Sequence, residues 1–142
     1  MTPRETPVAY LIDQSALARM EDPRVGARVV PIIESGRAAT CSVVELEVLY
    51  STRNHAEHAR VRARRALAYR RIDLTEAVFQ RAIAVQGLLA RRGQHRLPIQ
   101  DLIIAAAAEM AGATLLHYDS DFDTIALATG QDVEWVAPRG SL

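Results

Sequence analysis

The stretch Val8-Ala9-Tyr10-Leu11-Ile12-Asp13 is a continuous apolar run that ends on a carboxylate. A run without polar alternation is typical of a strand that is buried on both faces, as in a parallel sheet covered by helices. The stretch Ala113-Thr114-Leu115-Leu116-His117-Tyr118-Asp119 has a similar form near the other end of the chain. These two stretches predict central strands, each followed closely by an aspartate.

Helix signals fill the chain between these strands. The pair Asp22-Pro23 predicts a helix start, because aspartate is a good cap and proline suits the first helical position, and Ser35-Gly36 ends that helix. Ser15 is expected to cap a short helix, and Ser42-Val43-Val44-Glu45 is a capping box that opens another. Further helices are predicted over residues 55–69, 75–92, 100–111 and 120–128, and short strands over residues 38–41, 70–74 and 133–136. Strand alternating with helix predicts an α/β fold with a mostly parallel central sheet.

Length and composition are those of a single globular domain. The chain has 142 residues, of which 49% are apolar and 24% are charged, so we predict one domain over residues 1–142. Its longest apolar run, Leu102 to Ala108, is shorter than the about 20 residues of a transmembrane helix, and no membrane association is expected. The single cysteine, Cys41, provides neither an internal disulfide nor a thiolate metal cluster, which favours a reducing cytoplasm.

Arginine supplies every basic side chain except histidine, and the charge is unevenly distributed. The chain contains 17 arginines and no lysine, which excludes mechanisms that require lysine, such as Schiff-base chemistry and the P-loop. Residues 53–96 contain eleven arginines and three acids, whereas the rest of the chain contains six arginines and fourteen acids. Within this basic tract, Arg62 and Arg65 are candidates for contacts with RNA phosphates. Contact with a protein partner and a solvated helix face are the alternatives.

Four carboxylates occupy strand ends or helix starts. Asp13 and Asp119 follow the two central strands, Asp101 lies in the first turn of a predicted helix, and Glu47 lies one turn into another. Ligands of parallel α/β sheets bind beyond the carboxyl ends of the strands, so these acids are expected to share one rim. Acids at this density repel one another unless a cation neutralises them, and oxygen ligands favour Mg²⁺ or Mn²⁺. For each acid taken singly, the alternative is a turn or helix-cap residue.

Four segments around these acids resemble the acidic motifs of a known family. They are Ile12-Asp13-Gln14-Ser15, Val44-Glu45-Leu46-Glu47, Gln100-Asp101-Leu102-Ile103-Ile104-Ala105-Ala106 and His117-Tyr118-Asp119-Ser120-Asp121-Phe122-Asp123-Thr124-Ile125-Ala126. In this order they are similar to the motifs of PIN-domain ribonucleases, and most of all to those of the VapC toxins of bacterial toxin–antitoxin modules. The resemblance runs from about residue 8 to the C-terminus.

This resemblance implies a fold, an activity and partners. The fold is a three-layer α/β/α arrangement, and the activity is that of a Mg²⁺- or Mn²⁺-dependent endoribonuclease whose cleavage of RNA inhibits translation. Cleavage is expected to leave a 5′-phosphate and a 3′-hydroxyl. The resemblance also implies a tRNA or rRNA substrate, a homodimer, and a tight complex with a cognate antitoxin protein that blocks the site.

The resemblance also assigns roles to individual residues. The acidic positions of the family fall on Asp13, Glu47, Asp101 and Asp119. Asp13 and Asp101 are the expected direct metal ligands. Ser15 and Asp121 are expected to hold these ligands in place without binding the metal themselves. Gln14 departs from the pattern, because many members carry threonine there, and the hydrogen bonding beside Asp13 is therefore open.

Glu45 and Glu47 compete for one of these acidic positions. Residues two positions apart on an α-helix point in directions that differ by about 200° around the helix axis, so both side chains cannot face one site. If Ser42 caps the helix, Glu45 completes the capping box, which leaves Glu47 as the acid of the site.

Two other functions remain open from the sequence. One is a PIN-like nuclease with a housekeeping role outside a toxin module, which the absence of a neighbouring antitoxin reading frame would favour. The other is a non-enzymatic α/β binding module whose acids only cap helices, and which would show no Mg²⁺ or Mn²⁺ binding in the millimolar range.

Overall fold

The computed structural model describes residues 7–142, so residues 1–6 of the predicted domain lie outside the described part. Within that part, short strands alternate with helices, as the sequence predicts. The strands are β1 (Tyr10–Ile12), β2 (Ala38–Thr40), β3 (Arg70–Arg71), β4 (Thr114–His117) and β5 (Val133–Trp135). The helices are α1 (Gln14–Leu17), α2 (Pro23–Glu34), α3 (Ser42–Tyr50), α4 (His55–Ala68), α5 (Glu76–Ala90), α6 (Ile99–Met110) and α7 (Asp121–Thr129).

The strands form one sheet in the order β3-β2-β1-β4-β5. β1 is central, and Tyr10 is in parallel register with Ala38 of β2 on one side and Thr114 of β4 on the other. The outer pairs, β2 with β3 and β4 with β5, are parallel as well. The predicted parallel central sheet is therefore confirmed, and the carboxyl ends of these strands lie along one edge.

Helices cover both faces of this sheet. On one face, Leu11 and Leu115 join a buried cluster with side chains of α3, α5, α6 and α7. On the other face, the next residues along the same strands, Ile12 and Leu116, pack with α1 and α2. Successive residues of a strand point to opposite faces, so burial on both sides requires the unbroken apolar runs seen in the sequence. The three-layer α/β/α arrangement is confirmed.

Two predicted helix caps are wrong. Asp13, not Ser15, caps α1: the Asp13 side chain accepts a hydrogen bond from the backbone N–H of Ser15, which lies inside the helix. Helix α3 follows Cys41, which has no side chain bonded to the helix N-terminus, so the predicted capping box of Ser42 and Glu45 does not form. The start of α3 lies at the carboxyl edge of the sheet, directly after β2.

A buried ion pair between α3 and α4 occupies Glu45 instead. Nη2 of Arg65 lies 2.8 Å from Oε2 of Glu45, and each side chain is 9% exposed. A charged guanidinium is a stronger partner for the carboxylate than a backbone N–H, which explains why the capping box is lost. Burial acts to raise the pKa of Glu45, but hydrogen bonds from Arg65 and Thr40 hold it below its ordinary value.

This pair corrects one of the two predicted RNA contacts. Arg65 is buried and its guanidinium is directed to Glu45, so the prediction that Arg65 touches RNA phosphates is wrong. Arg62, three residues earlier on α4, is exposed.

The strands are shorter than the apolar patterns predict. β1 begins at Tyr10 rather than Val8, and β3 ends at Arg71 rather than Leu74. The N–H of Ile72 still bonds to the carbonyl oxygen of Thr40, and the chain then leaves the sheet toward α5. In residues 7–142, no helix combines the length and the apolar character needed to cross a bilayer.

Candidate metal centre

Five carboxylates from separate parts of the chain meet at the carboxyl edge of the sheet. They belong to Asp13, Glu47, Asp101, Asp119 and Asp121. Three of them, from α6 and the start of α7, offer ligand oxygens that all lie within 4.8 Å of one another: Asp101, Asp119 and Asp121. The other two lie close enough for their charges to raise the pKa of Asp101.

Asp13 is held at the end of β1 by the backbone around it. Its own N–H donates to the carbonyl oxygen of Leu116 in β4, and its Oδ2 accepts from the N–H of Ser15 at 3.0 Å. The side chain of Ser15 reaches the neighbouring loop, where its Oγ accepts from the N–H of Tyr118 at 2.9 Å. Oδ1 of Asp13 is buried and has no hydrogen-bond partner within the described part of the chain.

Asp119 and Asp121 are placed by a turn between β4 and α7. Nδ1 of the buried His117 accepts the N–H of Asp119 at 3.0 Å, and Oδ1 of Asp119 accepts the N–H of Asp121 at 2.9 Å. The imidazole is itself fixed by ring contacts with Phe122 and Trp135. The two carboxylates are therefore tied to the core through one histidine.

Asp101 lies in the first turn of α6, a helix whose following residues are mostly buried. Pro98 precedes the helix, and its carbonyl oxygen accepts the N–H of Asp101 at 3.0 Å. The residue is only 6% exposed, although a carboxylate is among the side chains least often buried without a partner. Because the apolar residues that follow Asp101 are packed in the core, the carboxyl group of Asp101 is held at the carboxyl edge of the sheet.

The electrostatics of the site are those of acids without enough counter-charge. Burial raises the pKa of Asp101 to about 8, with further increases from the charges of Asp13, Asp119, Asp121 and Glu47. Burial, followed by the charges of Asp13 and Asp119, raises the pKa of Glu47 to about 6. The pKa values of Asp13 and Asp121 are raised as well, mainly by burial. Each acid therefore disfavours the charge of its neighbours.

The donor set fits a hard divalent cation. Oδ1 of Asp13 and Oε1 of Glu47 are buried oxygens without hydrogen-bond partners, and among the ion pairs formed by residues 7–142 none involves an acid of this centre. A divalent ion would supply the missing ligand for such oxygens and offset the mutual repulsion. With only carboxylate oxygens on offer, Mg²⁺ or Mn²⁺ suits the site better than a softer metal.

The structure brings together all four acids predicted from the sequence, whereas Glu45 is directed to Arg65. It also places Asp121 among the candidate ligands rather than behind them. The signal for this was the spacing Asp-Ser-Asp at a helix start, because the amide of the second aspartate bonds the first carboxylate and brings both side chains to one side. The choice of Asp13 and Asp101 as direct ligands stays a prediction.

A groove of about 430 Å³ opens beside Glu47, which is within the size range of ligand pockets. Its lining combines apolar side chains of α3 with two amides and an exposed ring, from Gln14, Gln100 and Tyr50. Tyr50 is 91% exposed, as expected for a side chain whose face is left for a partner rather than for the core. Gln100 and Tyr50 were not singled out from the sequence, because neither belongs to an acidic motif.

The protein combines a parallel α/β/α fold with a cluster of carboxylates at the carboxyl ends of its strands. The sequence profile described as PIN domain matches residues 10–127. The chain therefore belongs to the PIN-domain family.

The chain is similar to several ribonucleases named VapC. The chain is 42% identical over 133 residues to Ribonuclease VapC51 of Mycobacterium tuberculosis, covering 94% of this chain and 96% of the relative. It is 40% identical over 133 residues to Ribonuclease VapC21 of the same species, covering 93% of this chain and 96% of the relative.

Solved structures show the same fold at lower sequence identity. DNA-bound VapBC from Salmonella typhimurium superposes with a TM-score of 0.75 at 15% identity, covering 92% of this chain and 99% of that one. VapBC2 from Rickettsia felis, bound to a promoter DNA fragment, gives a TM-score of 0.74 at 16% identity, covering 89% and 98%. These similarities support the fold independently of the sequence matches.

Proposed function

We propose that this protein is a metal-dependent endoribonuclease that acts as the toxin of a toxin–antitoxin module. The observation that carries the proposal is the centre itself: three carboxylates with ligand oxygens within 4.8 Å, flanked by two buried carboxylate oxygens without partners. The relatives named above are VapC ribonucleases, and they align with nearly the whole chain. The acidic centre of this protein therefore lies within the aligned part.

The cofactor we propose is Mg²⁺ or Mn²⁺. Asp101, Asp119 and Asp121 would hold it, with Asp13 completing the set through its unpartnered Oδ1. Such an ion, when bound, lowers the pKa of a water ligand and stabilises the charge that develops on a phosphodiester. The acids are preorganised for this role, because the carboxylates of Asp13 and Asp119 each accept a backbone N–H, from Ser15 and Asp121 respectively, before any ligand arrives.

Glu47 has the properties of a proton acceptor in this site. Without a cation, burial and the charges of Asp13 and Asp119 raise the pKa of Glu47 to about 6, and a bound ion would lower it, so the carboxylate is ionised at neutral pH and can act as a base. Oε1 has no competing donor among the described residues, so it is free to accept the proton of a water that attacks the RNA phosphate. Hydrolysis in this manner leaves a 5′-phosphate and a 3′-hydroxyl.

The proposed partners are a cognate antitoxin protein, an RNA of the translation machinery such as tRNA or rRNA, and a second copy of the chain. The structural neighbours that support the antitoxin are VapBC assemblies, among them VapBC-5 from Mycobacterium tuberculosis, described as a member of the VapBC family of toxin–antitoxin systems. An exposed apolar groove between α5 and α6, flanked by Ile83 and Ile99 at 58% and 67% exposure, supports the homodimer. We propose the cytoplasm as the compartment, since both the RNA and the free Cys41 are consistent with it.

The relatives favour a toxin over a housekeeping nuclease, and the cluster favours an enzyme over a binding module whose acids only cap helices. Of the acids in the centre, Asp13 and Asp119 each accept a backbone N–H at the start of a helix, from Ser15 of α1 and Asp121 of α7. Such a bond does not explain why Glu47, Asp101 and Asp121 lie beside them.

The test is direct cleavage by the purified chain. Total RNA is incubated with the protein and MnCl₂, with EDTA as one control and Asp101→Asn as the other, and the new 5′ ends are sequenced. We expect discrete 5′-phosphate ends that disappear in both controls. Equal cleavage in EDTA, or by a folded Asp101→Asn protein, would contradict the proposal.

A further inference from the structure

A second concavity lies on α3 beside the groove of the acidic centre. The groove contains Glu47 and Leu46, and the second concavity contains Leu46 as well, so the two adjoin at this side chain. Leu46 is 70% exposed and forms an apolar ridge between them. The polar side chains of the second concavity are Ser42, Glu45, His58, Arg62 and Arg71.

This second concavity carries positive charge without a matching acid. The acid in its lining, Glu45, already has both carboxylate oxygens bonded to the buried Arg65. Arg71 donates from Nη1 to the neutral hydroxyl of Ser42 at 3.1 Å. Among the ion pairs of residues 7–142, neither Arg62 nor Arg71 takes part in any. Two guanidinium groups therefore face one concavity with their charge uncompensated.

The dipole of α3 adds to the positive potential of this concavity. Ser42, in its lining, is the first residue of a nine-residue helix. The N-terminus of a helix carries the positive end of its dipole and attracts anions. The helix dipole therefore acts in the same direction as the two arginines.

The strand order fixes the distance of this concavity from the acidic centre. Arg71, on β3, is in register with Thr40 of β2, and the preceding residue of β2, Ala39, is in register with Leu11 of β1. Arg71 is therefore level with the end of β1, two strands away, and neighbouring strands are about 4.8 Å apart. The backbone of Arg71 thus lies about 10 Å from the point where Asp13 follows β1.

We infer that Arg62 and Arg71, beside the start of α3, form a phosphate subsite that holds single-stranded RNA next to the acidic centre. This inference rests on the proposed ribonuclease function. A stacked strand advances about 3.4 Å per nucleotide, so a phosphate held by these arginines would lie within a few nucleotides of the cut. Leu46, between the two concavities, is placed to contact a sugar or base of the intervening nucleotides.

RNA fits this surface better than an acidic protein segment. The concavity adjoins the groove that contains Glu47, so one polyanionic chain can cross both, with its phosphates at the arginines and its scissile bond at the acids. Arginine also binds phosphate oxygens through two parallel N–H donors, which lysine cannot do.

The test compares salt dependence of RNA binding in paired variants. A fluorescein-labelled oligouridine of fifteen nucleotides is titrated by anisotropy in EDTA, where cleavage does not interfere, at several NaCl concentrations. For Arg62→Gln/Arg71→Gln, we expect the slope of log K against log salt to become about 1.4 less negative, because each phosphate neutralised on a single strand contributes about 0.7. Arg91→Gln/Arg92→Gln, which removes the same charge elsewhere, should keep the original slope.

A charge-preserving pair completes the test. Arg62→Lys/Arg71→Lys should keep the slope while binding more weakly, because the charge remains but the two-donor geometry is lost. An unchanged slope in the glutamine pair, or equal flattening in the control pair, overturns the subsite. The same holds if the glutamine pair loses affinity for a co-expressed antitoxin but not for RNA. Cleavage of total RNA by the unaltered protein tests the ribonuclease function separately, so the two proposals can fail independently.

Discussion

Replacing Asp101 by asparagine should stabilise the metal-free protein while abolishing its activity. The folded protein raises the pKa of Asp101 to about 8, whereas a carboxyl of this kind ordinarily titrates at 3.8. Between these two values the folded protein retains a proton that the unfolded chain has released. The free energy of unfolding therefore falls as the pH rises from about 4 to about 8, and stays low above that.

The size of this effect follows from the same pKa values. At about 1.4 kcal/mol per pKa unit, the difference between about 8 and 3.8 sets an upper limit of about 6 kcal/mol. Relaxation and water at the rim reduce this, and we expect Asp101→Asn to gain about 2 kcal/mol at pH 8.5, or about 6 °C in Tm for a domain of this size. The gain should be nearly lost at pH 4, where the aspartate is protonated in the folded protein and close to half protonated in the unfolded chain.

Thermal unfolding in EDTA at pH 4 and pH 8.5 measures this gain, and Asp73→Asn, an exposed aspartate outside the centre, is the matched control. Adding MgCl₂ or MnCl₂ at pH 8.5 should then raise the Tm of the unaltered protein and not that of Asp101→Asn, because a ligand stabilises only the folded state that binds it. A lower Tm for Asp101→Asn at pH 8.5 would refute the reasoning, as would equal metal stabilisation of both proteins.

Three further predictions concern the residues around this acid. Glu47→Gln should lower kcat by about 100-fold or more. Glu45→Gln should keep kcat but lower the free energy of unfolding by about 3 kcal/mol, because its arginine partner stays buried without a counter-charge. Cleavage rates and urea unfolding check both variants, and the reverse pattern contradicts the assignment. His117→Gln should weaken Mn²⁺ binding in calorimetry, because the acceptor at Nδ1 for the Asp119 N–H is lost. His117→Asn keeps an acceptor at that place and should keep most of the affinity. Equal losses in the two variants would contradict the role of His117 in positioning Asp119. Ser15→Ala should lower stability by about 1 kcal/mol, since a backbone N–H after β4 loses its acceptor, and an unchanged urea midpoint would argue against it.

The central sheet and most of the acidic rim could be predicted from local sequence. An unbroken apolar run marks a strand buried on both faces, and the first polar residue after it must lie at the edge of the sheet. Asp13 follows from this rule directly, whereas Asp119 follows only once the buried His117 is counted as part of β4. Asp101 follows from a different one, because the apolar residues after it require a buried helix whose first turn reaches the rim.

The roles of Glu45 and Arg65 could not be predicted in this way. The local pattern offered Glu45 a capping role worth about 0.5–2 kcal/mol at most, and it marked Arg65 as one arginine among many. Their pairing depends on how α3 packs against α4, twenty residues apart in the chain. A contact of this kind appears only once the two helices are placed, and the charged pair then outcompetes the local hydrogen bond.

The position of β1 at the centre of the sheet has a consequence for synthesis on the ribosome. One neighbour of β1, β2, follows it within about thirty residues, but the other, β4, begins only at Thr114. The nascent chain can therefore assemble part of one half of the sheet early, while β1 keeps one edge open until β4 emerges. Two of the three clustered carboxylates, Asp119 and Asp121, emerge later still. No nascent fragment that ends before residue 121 contains all three carboxylates, so the cluster cannot form until the last part of the chain has been made.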